Sequence, residues 1–138
     1  MIVHDKPLLT LTAEDLMTRA VITVPESMPL RAAARLLARE QISGVPVVSA
    51  DGRCVGILSA TDFLGLWVKE QSPADEKVLR HMTPDPVMVT PDTSIGRLAR
   101  MMIDAHIHRV VVVDADKRPV GLVSSTDVLA AVTYNGDL

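Results

Sequence analysis

The chain has 138 residues, a formal net charge of −3, and 48% apolar and 22% charged residues. That length holds one compact domain or two small similar lobes. The charge balance fits neither a disordered chain nor the basic footprint of a nucleic-acid binder. The one cysteine, Cys54, excludes an internal disulfide framework and a Cys-x-x-Cys metal site. Aromatics are confined to Phe63, Trp67 and Tyr134, and a Val-rich aliphatic core points to sheet packed on helix. The leading residues Met1-Ile-Val-His4-Asp5-Lys6 carry charge where a secretory signal is apolar, and the longest Val/Ile/Leu run is Val110–Val113. The chain therefore reads as soluble and cytoplasmic, with no membrane partner.

In chain order, Val21–Val24 predicts a short strand ending at Pro25. Leu30, Ala33, Ala34, Leu36 and Leu37 recur at helical spacing behind Ser27 and Pro29, both good helix-start residues. Val45–Val48 and Val55–Leu58 flank Asp51-Gly52 and predict a hairpin. Ser59-Ala-Thr-Asp62 opens a helix carrying Phe63, Leu64, Trp67 and Val68. A polar linker, Gln71–Lys77, leads to a second series: strand Val87–Val89, helix Ile95–Ile103, strands Val110–Val113 and Val120–Val123, and helix Val128–Val132.

The second series is a copy of the first. A shift of 65 residues lays Gly44–Asp51 on Arg109–Asp116 and Val55–Asp62 on Val120–Asp127, with 14 of 30 positions identical from Arg35/Arg100 to Leu64/Leu129. Met17-Thr18 matches Met82-Thr83 at the same shift. The predicted fold class is α/β (α+β): two pseudo-symmetric β-α-β-β-α repeats, each with a three-stranded sheet too small to stand alone, packed sheet to sheet. The organisation is an N-terminal extension over 1–11, repeat 1 over 12–70, a linker over 71–77 and repeat 2 over 78–134. Any site at the interface of the copies should occur twice.

The most informative element is Gly56-Ile57-Leu-Ser59-Ala-Thr61-Asp62 with its copy Gly121-Leu122-Val-Ser124-Ser-Thr126-Asp127. A strand ends at a serine and a helix begins at once, with two hydroxyls and a carboxylate in its first turn. Such a helix start suits an anionic phosphate, and a carboxylate turned outward presents two acceptors to vicinal ribose hydroxyls. The same residue types are also the usual helix caps, and both readings stay open at this point.

These residues, with the Met-Thr pairs and the Val45-Pro-Val-Val48 strand, resemble the tandem cystathionine β-synthase (CBS) domain pair, or Bateman module, over about residues 12–132. The resemblance implies a non-catalytic regulatory module, dimeric as a disc of four repeats. Its regulatory ligand in the inter-repeat clefts is AMP, ADP, ATP or S-adenosylmethionine, with no required cofactor, and it signals to an unidentified protein target. A structural dimerisation protein with vestigial clefts is the alternative. Carried over by position, Asp127 holds ribose and Ser124 and Thr126 lie beside the phosphates. Thr18, Ile22 and Thr23 close the adenine end, with Leu122 in apolar contact. The mirror set is Asp62, Ser59, Thr61 and Ile57 with Thr83, Val87 and Met88. Family members place basic residues ahead of the second strand. Copy two has His106-Ile-His108-Arg109 there, whereas copy one has Gln41-Ile-Ser43-Gly44.

Other features carry less. His106 and His108, two apart on an expected extended segment, offer a metal set with Asp104. The Arg109 fork beside His108 suits phosphate oxygens better, and no metal is expected. Cys54 reads as an inert thiol and Met101-Met102 as core filling. No Gly-x-Ser-x-Gly elbow, Gly-x-x-x-x-Gly-Lys loop or His-Glu-x-x-His helix is present, so no catalytic residue is assigned. A homodimer is expected from the apolar residues of the last helix in each copy.

Overall fold

The computed structural model describes residues 6–19, 22–68 and 74–135, apart from the side chains of Trp67 and Val68. The expectations placed on His4, Val21, residues 71–73 and those two side chains lie outside the described residues. In chain order the elements are α1 (Ala13–Leu16), β1 (Thr18–Arg19), β2 (Val24–Pro25), α2 (Leu30–Glu40), β3 (Gly44–Val48), β4 (Cys54–Ser59) and α3 (Ala60–Val68). They continue with β5 (Thr83–Pro84), β6 (Met88–Val89), α4 (Ile95–Ala105), β7 (Arg109–Val113), β8 (Pro119–Ser124) and α5 (Ser125–Asn135). The chain divides into two compact units, Met1–Val21 with Val87–Leu138, and Ile22–Pro86. They are called the first and second unit below.

Two strands are shorter than the apolar pattern predicts. Ile22 and Thr23 lie outside β2, and Pro25 belongs to the strand because it pairs with Val48 at a parallel edge. Val87 likewise precedes β6. α2 and α4 match their apolar spacing: Leu30, Ala33 and Leu37 are buried on one, Ile95, Leu98 and Met102 on the other. Both end on a residue in the left-handed region, Gln41 (φ 54°) and His106 (φ 53°). Their starts differ. Ser94 caps α4 by accepting the Arg97 N–H at 3.2 Å. Pro29 stands at the matching position of α2 and caps nothing, and Ser27 makes no cap either. There the Leu30 and Arg31 N–H groups donate to the Glu76 and Ala74 carbonyls at 2.8 and 3.0 Å. Backbone from the segment after residue 73 thus replaces the missing side-chain cap.

Each sheet has four strands rather than three. The first unit orders them β1-β8-β7-β6 and the second β2-β3-β4-β5. In both, a parallel strand pair spanned by a helix is followed by an antiparallel hairpin. The additional strand comes from the other copy's leading segment: Thr18 pairs with Leu122 and Arg19 with Gly121, while Thr83 pairs with Ile57 and Pro84 with Gly56. A single-copy reading counts three strands because it assigns each Met-Thr pair to the repeat that follows it in sequence.

The same exchange extends upstream of both strands. Ala13 and Glu14 donate to the Thr93 and Pro91 carbonyls, and at the same 65-residue shift Val78 and Leu79 donate to those of Met28 and Glu26. Leu11, Ala13 and Leu16 are buried in the first unit's core with Leu98, Val110, Val112 and Val123. Val78 is buried in the second unit's core with Val24, Val45, Val47 and Leu58. Asp15 fastens α1 by accepting the Thr12 N–H at 2.9 Å and pairing with Lys6 Nζ at 2.8 Å. Partial burial pushes its carboxyl up, but the Lys6 and Thr12 hydrogen bonds together hold it below the ordinary carboxylate range.

The glycines ahead of each helix-start motif are set by this exchange. A Cβ at Gly121 would collide with the Met17 side chain, and one at Gly56 with the Met82 side chain. At Gly56 it would also meet the Thr83 carbonyl oxygen at 2.9 Å, and backbone cannot swing away as a thioether can. Gly121→Ala is expected to cost about 1–3 kcal/mol in urea denaturation, with Gly56→Ala at or above the top of that range. Met17→Ala should recover part of the Gly121→Ala loss.

Candidate functional site

In the first unit β8 passes directly into α5, so Ser124 stands at the helix start. Its N–H donates to Asp127 Oδ2 at 2.8 Å, and its Oγ accepts the Asp127 N–H at 3.1 Å, a reciprocal box. The Ser125 N–H is taken by the His108 carbonyl at 2.8 Å. In the second unit the Ser59 N–H donates to Asp62 Oδ2 at 2.8 Å, and the Ala60 N–H to the Ser43 carbonyl at 2.9 Å. The Ser59 hydroxyl instead lies 2.8 Å from Thr61 Oγ1 and 3.3 Å from Asp62 Oδ2.

The capping reading is therefore true of both carboxylates, and it does not exhaust them. Each uses Oδ2, and among the described residues neither Oδ1 has a hydrogen-bond partner. An ionised carboxylate accepts about four hydrogen bonds, so Oδ1 can still receive a ligand hydroxyl. Asp62 and Asp127 are half-buried and Thr61 and Thr126 exposed. Capping fixes the rotamer of the group that a ligand would meet.

Around Asp127 the sheet adds further residues. Arg109 is the direct cross-strand partner of Ser124. Opposite residues on an antiparallel pair share a face with Cβ atoms roughly 4.5–5.5 Å apart, so the half-buried Arg109 emerges beside the α5 start within its own unit. Leu122 lies two residues before Ser124 on that face, and the exposed Thr18 is its partner across β1–β8. Around Asp62, Ile57 is paired with the exposed Thr83, but the partner of Ser59 is Gly44, which offers no side chain.

The remaining expected site residues divide between units. Ile22 and Thr23, grouped with Asp127 from the sequence, belong to the second unit, whereas Val87 and Met88, grouped with Asp62, belong to the first. His108 is exposed. The expected extended His106–His108 segment is not found, because His106 is the left-handed cap of α4 and β7 begins only at Arg109. Strand alternation does not apply to that pair, and no group of three or more metal-ligating side chains forms among the described residues. Cys54 is buried, its Sγ 3.5 Å from the Gly56 carbonyl, and burial pushes its thiol up, away from the reactive thiolate. The feature that sequence reasoning missed is the methionine laid over each glycine. Its signal was the joint repetition of Met-Thr and Gly at one shift.

The CBS domain family matches the chain twice, over residues 13–69 and 76–134. The chain is a tandem CBS domain pair. Such pairs are generally regulatory, non-catalytic modules. A solved structure of CBSX2, a CBS-pair protein of Arabidopsis thaliana, in complex with AMP is 28% identical, with a TM-score of 0.78 over 89% of this chain and 96% of that one. The CBS domain of a CBS domain-containing membrane protein from Sphaerobacter thermophilus is 30% identical, with a TM-score of 0.78 over 90% and 89% of the two chains. Among curated relatives, an uncharacterised protein of Methanocaldococcus jannaschii is 36% identical over 63% of this chain and 21% of its own length. A homoserine O-acetyltransferase of Methanohalobium evestigatum is 29% identical over 83% and 22%. The chain spans between about a fifth and less than half of the curated relatives it matches, 22–24% for the homoserine O-acetyltransferases, so an acetyl-transfer name describes a chain several times longer. Among the described residues no helix is long and apolar enough to cross a membrane.

Because each carboxylate closes its own helix start, Asp62→Ala and Asp127→Ala should each cost about 1 kcal/mol without any ligand. Urea denaturation of the two variants measures this, and an unchanged midpoint would remove the capping role.

Proposed function

We propose that this CBS domain pair is a regulatory module that binds an adenosine-containing ligand (AMP, ADP, ATP or S-adenosylmethionine) at the helix-start motifs and transmits occupancy to a protein target. The observation that carries the reading is the Asp127 arrangement. A carboxylate held by capping keeps Oδ1 open, with a cation on the neighbouring strand and Thr18 brought in by strand exchange. Asp127 receives the ribose diol, Ser124 and Thr126 lie beside phosphate with Arg109, and Leu122 and Thr18 face the base. Ser59, Thr61 and Asp62 with Ile57 and Thr83 repeat the pattern without the cation. The likeness to an AMP-bound CBS pair at 28% identity supports the ligand class.

The module is read as a cytoplasmic homodimer that needs no cofactor or metal and performs no catalysis. Leu64 and Leu129, on the last helix of each copy, are 57% and 60% exposed and supply apolar surface for a second copy. Ligand binding regulates only if it prefers one arrangement of the protein over another, and coupling of about 1–3 kcal/mol is ordinary for such devices.

A thermal-shift panel of AMP, ADP, ATP, S-adenosylmethionine and adenosine tests the ligand class, since a ligand at about 100 times its Kd stabilises by about 2.7 kcal/mol. No stabilisation by any of them would favour a structural dimerisation module with vestigial sites. Calorimetry then tests the assignment of Arg109. Arg109→Ala should weaken AMP by about 1.5–3 kcal/mol and adenosine by less than about 0.5 kcal/mol, because the nucleoside has no anion for the guanidinium to hold. Equal losses for both ligands would place the phosphate elsewhere.

A further inference from the structure

At the other end of the first unit's sheet, beside the β7–β8 hairpin, lies a groove of about 520 Å³. Met88, Met101 and Val113 give it an apolar floor, and Arg97 and Lys117 line it with Thr93 and Asp114. It is separate from the helix-start site in position. β7 begins at Arg109, opposite Ser124, and reaches the groove only at Val113, opposite Pro119. The volume is in the range that accepts a small organic molecule.

Arg97 and Lys117 line one groove, and neither enters a salt bridge among the described residues. Lys117 also holds its backbone at φ 62°, a region that residues other than glycine, asparagine and aspartate enter rarely. The internal repeat supplies the comparison. At the 65-residue shift, Lys117 corresponds to Gly52, which has φ 84°, Arg97 to Ala32, and Thr93 to Met28. The first copy keeps the same hairpin bend with the residue suited to it, whereas the second copy carries a cation there and a second cation lining the same groove. Asp114 is the one carboxylate lining the groove. Its Oδ1 is already occupied by the Asp116 and Arg118 N–H groups at 2.8 and 3.0 Å, a pairing that shapes the loop presenting Lys117.

We propose that this groove binds a small phosphate monoester with an apolar body, the body resting on Met88 and Met101 and the phosphate held between Arg97 and Lys117. A guanidinium fork and an ammonium lining the same groove as apolar methionines complement an anionic head on an apolar body. The groove shares no residue with the Asp127 set; of the set grouped with Asp62 from the sequence it includes only Met88, which belongs to the other unit from Asp62.

Amide NMR titration of the full chain with phenyl phosphate, with phenol and inorganic phosphate as controls, tests the proposal. Phenyl phosphate should produce saturable shifts at residues 93–97 and 114–118, and phenol none. Affinity should fall by at least about tenfold in Arg97→Ala and in Lys117→Gly, and remain unchanged in Asp127→Ala. Lys117→Gly installs the residue that the first copy uses at this bend, so its fold should be retained, and a thermal melt verifies that. Any of three results would overturn the proposal: shifts centred on residues 124–127, equal binding of phenol, or no saturation below about 10 mM. Affinity unchanged in both cation variants would also overturn it. Loss of AMP binding in Asp127→Ala with retained phenyl phosphate binding separates this groove from the adenosine site.

Discussion

A methionine laid over a glycine holds each sheet's fourth strand in place. Met17 occupies the space that a side chain at Gly121 would need, and Met82 does the same at Gly56. The thioether suits this place because it is long, unbranched and able to follow the surface it covers. With that contact made, β1 can hydrogen-bond to β8 and β5 to β4, and the residues just upstream can close the starts of α4 and α2. The leading segment of one copy is thus structural material for the other. Leu11 and Leu16 lie in a core whose sheet is built largely from residues 88–124.

The exchange is alike in the two units, yet the repeated motif yields two unequal helix starts. The helix starts at Ser59 and Ser124 are built alike, each with its N–H on an aspartate Oδ2 at 2.8 Å. The difference arises across the strand, where Arg109 stands opposite Ser124 and Gly44 opposite Ser59. The serine hydroxyls differ as well, one accepting from the Asp127 N–H and the other lying between Thr61 and Asp62. A capping carboxylate is well suited to recognition because its rotamer is fixed before any ligand arrives, which lowers the ordering cost of binding.

The repeat, the helix faces, the hairpins and the Ser-x-Thr-Asp helix starts were all legible in the sequence. Each rests on spacing or on turn chemistry between residues close in the chain. Leu30, Ala33 and Leu37 show their helix without reference to anything distant, as do Asp51 and Gly52 their turn. What was not legible required partners far apart in sequence. No local signal states that Thr18 lies beside Leu122 instead of within its own copy's sheet. The His106–His108 pair misled for a related reason, because a helix overran the predicted Ile103 end to Ala105 and placed a left-handed cap where an extended segment was expected. Capping and ligand binding could not be separated from sequence, since both demand the same residue types; in the folded chain one oxygen of each aspartate makes the cap and the other is left open.

The central claim is that the open oxygen of Asp127 recognises a ribose diol. Calorimetry of AMP against 2′,3′-dideoxyadenosine monophosphate on the unaltered protein measures this directly, because the two ligands share base and phosphate. Loss of both hydroxyls should weaken binding by about 1.5–3 kcal/mol, at least tenfold, as expected for hydrogen bonds to a charged acceptor. Equal affinity for the two nucleotides would contradict the account, leaving Asp127 as a helix cap and nothing more.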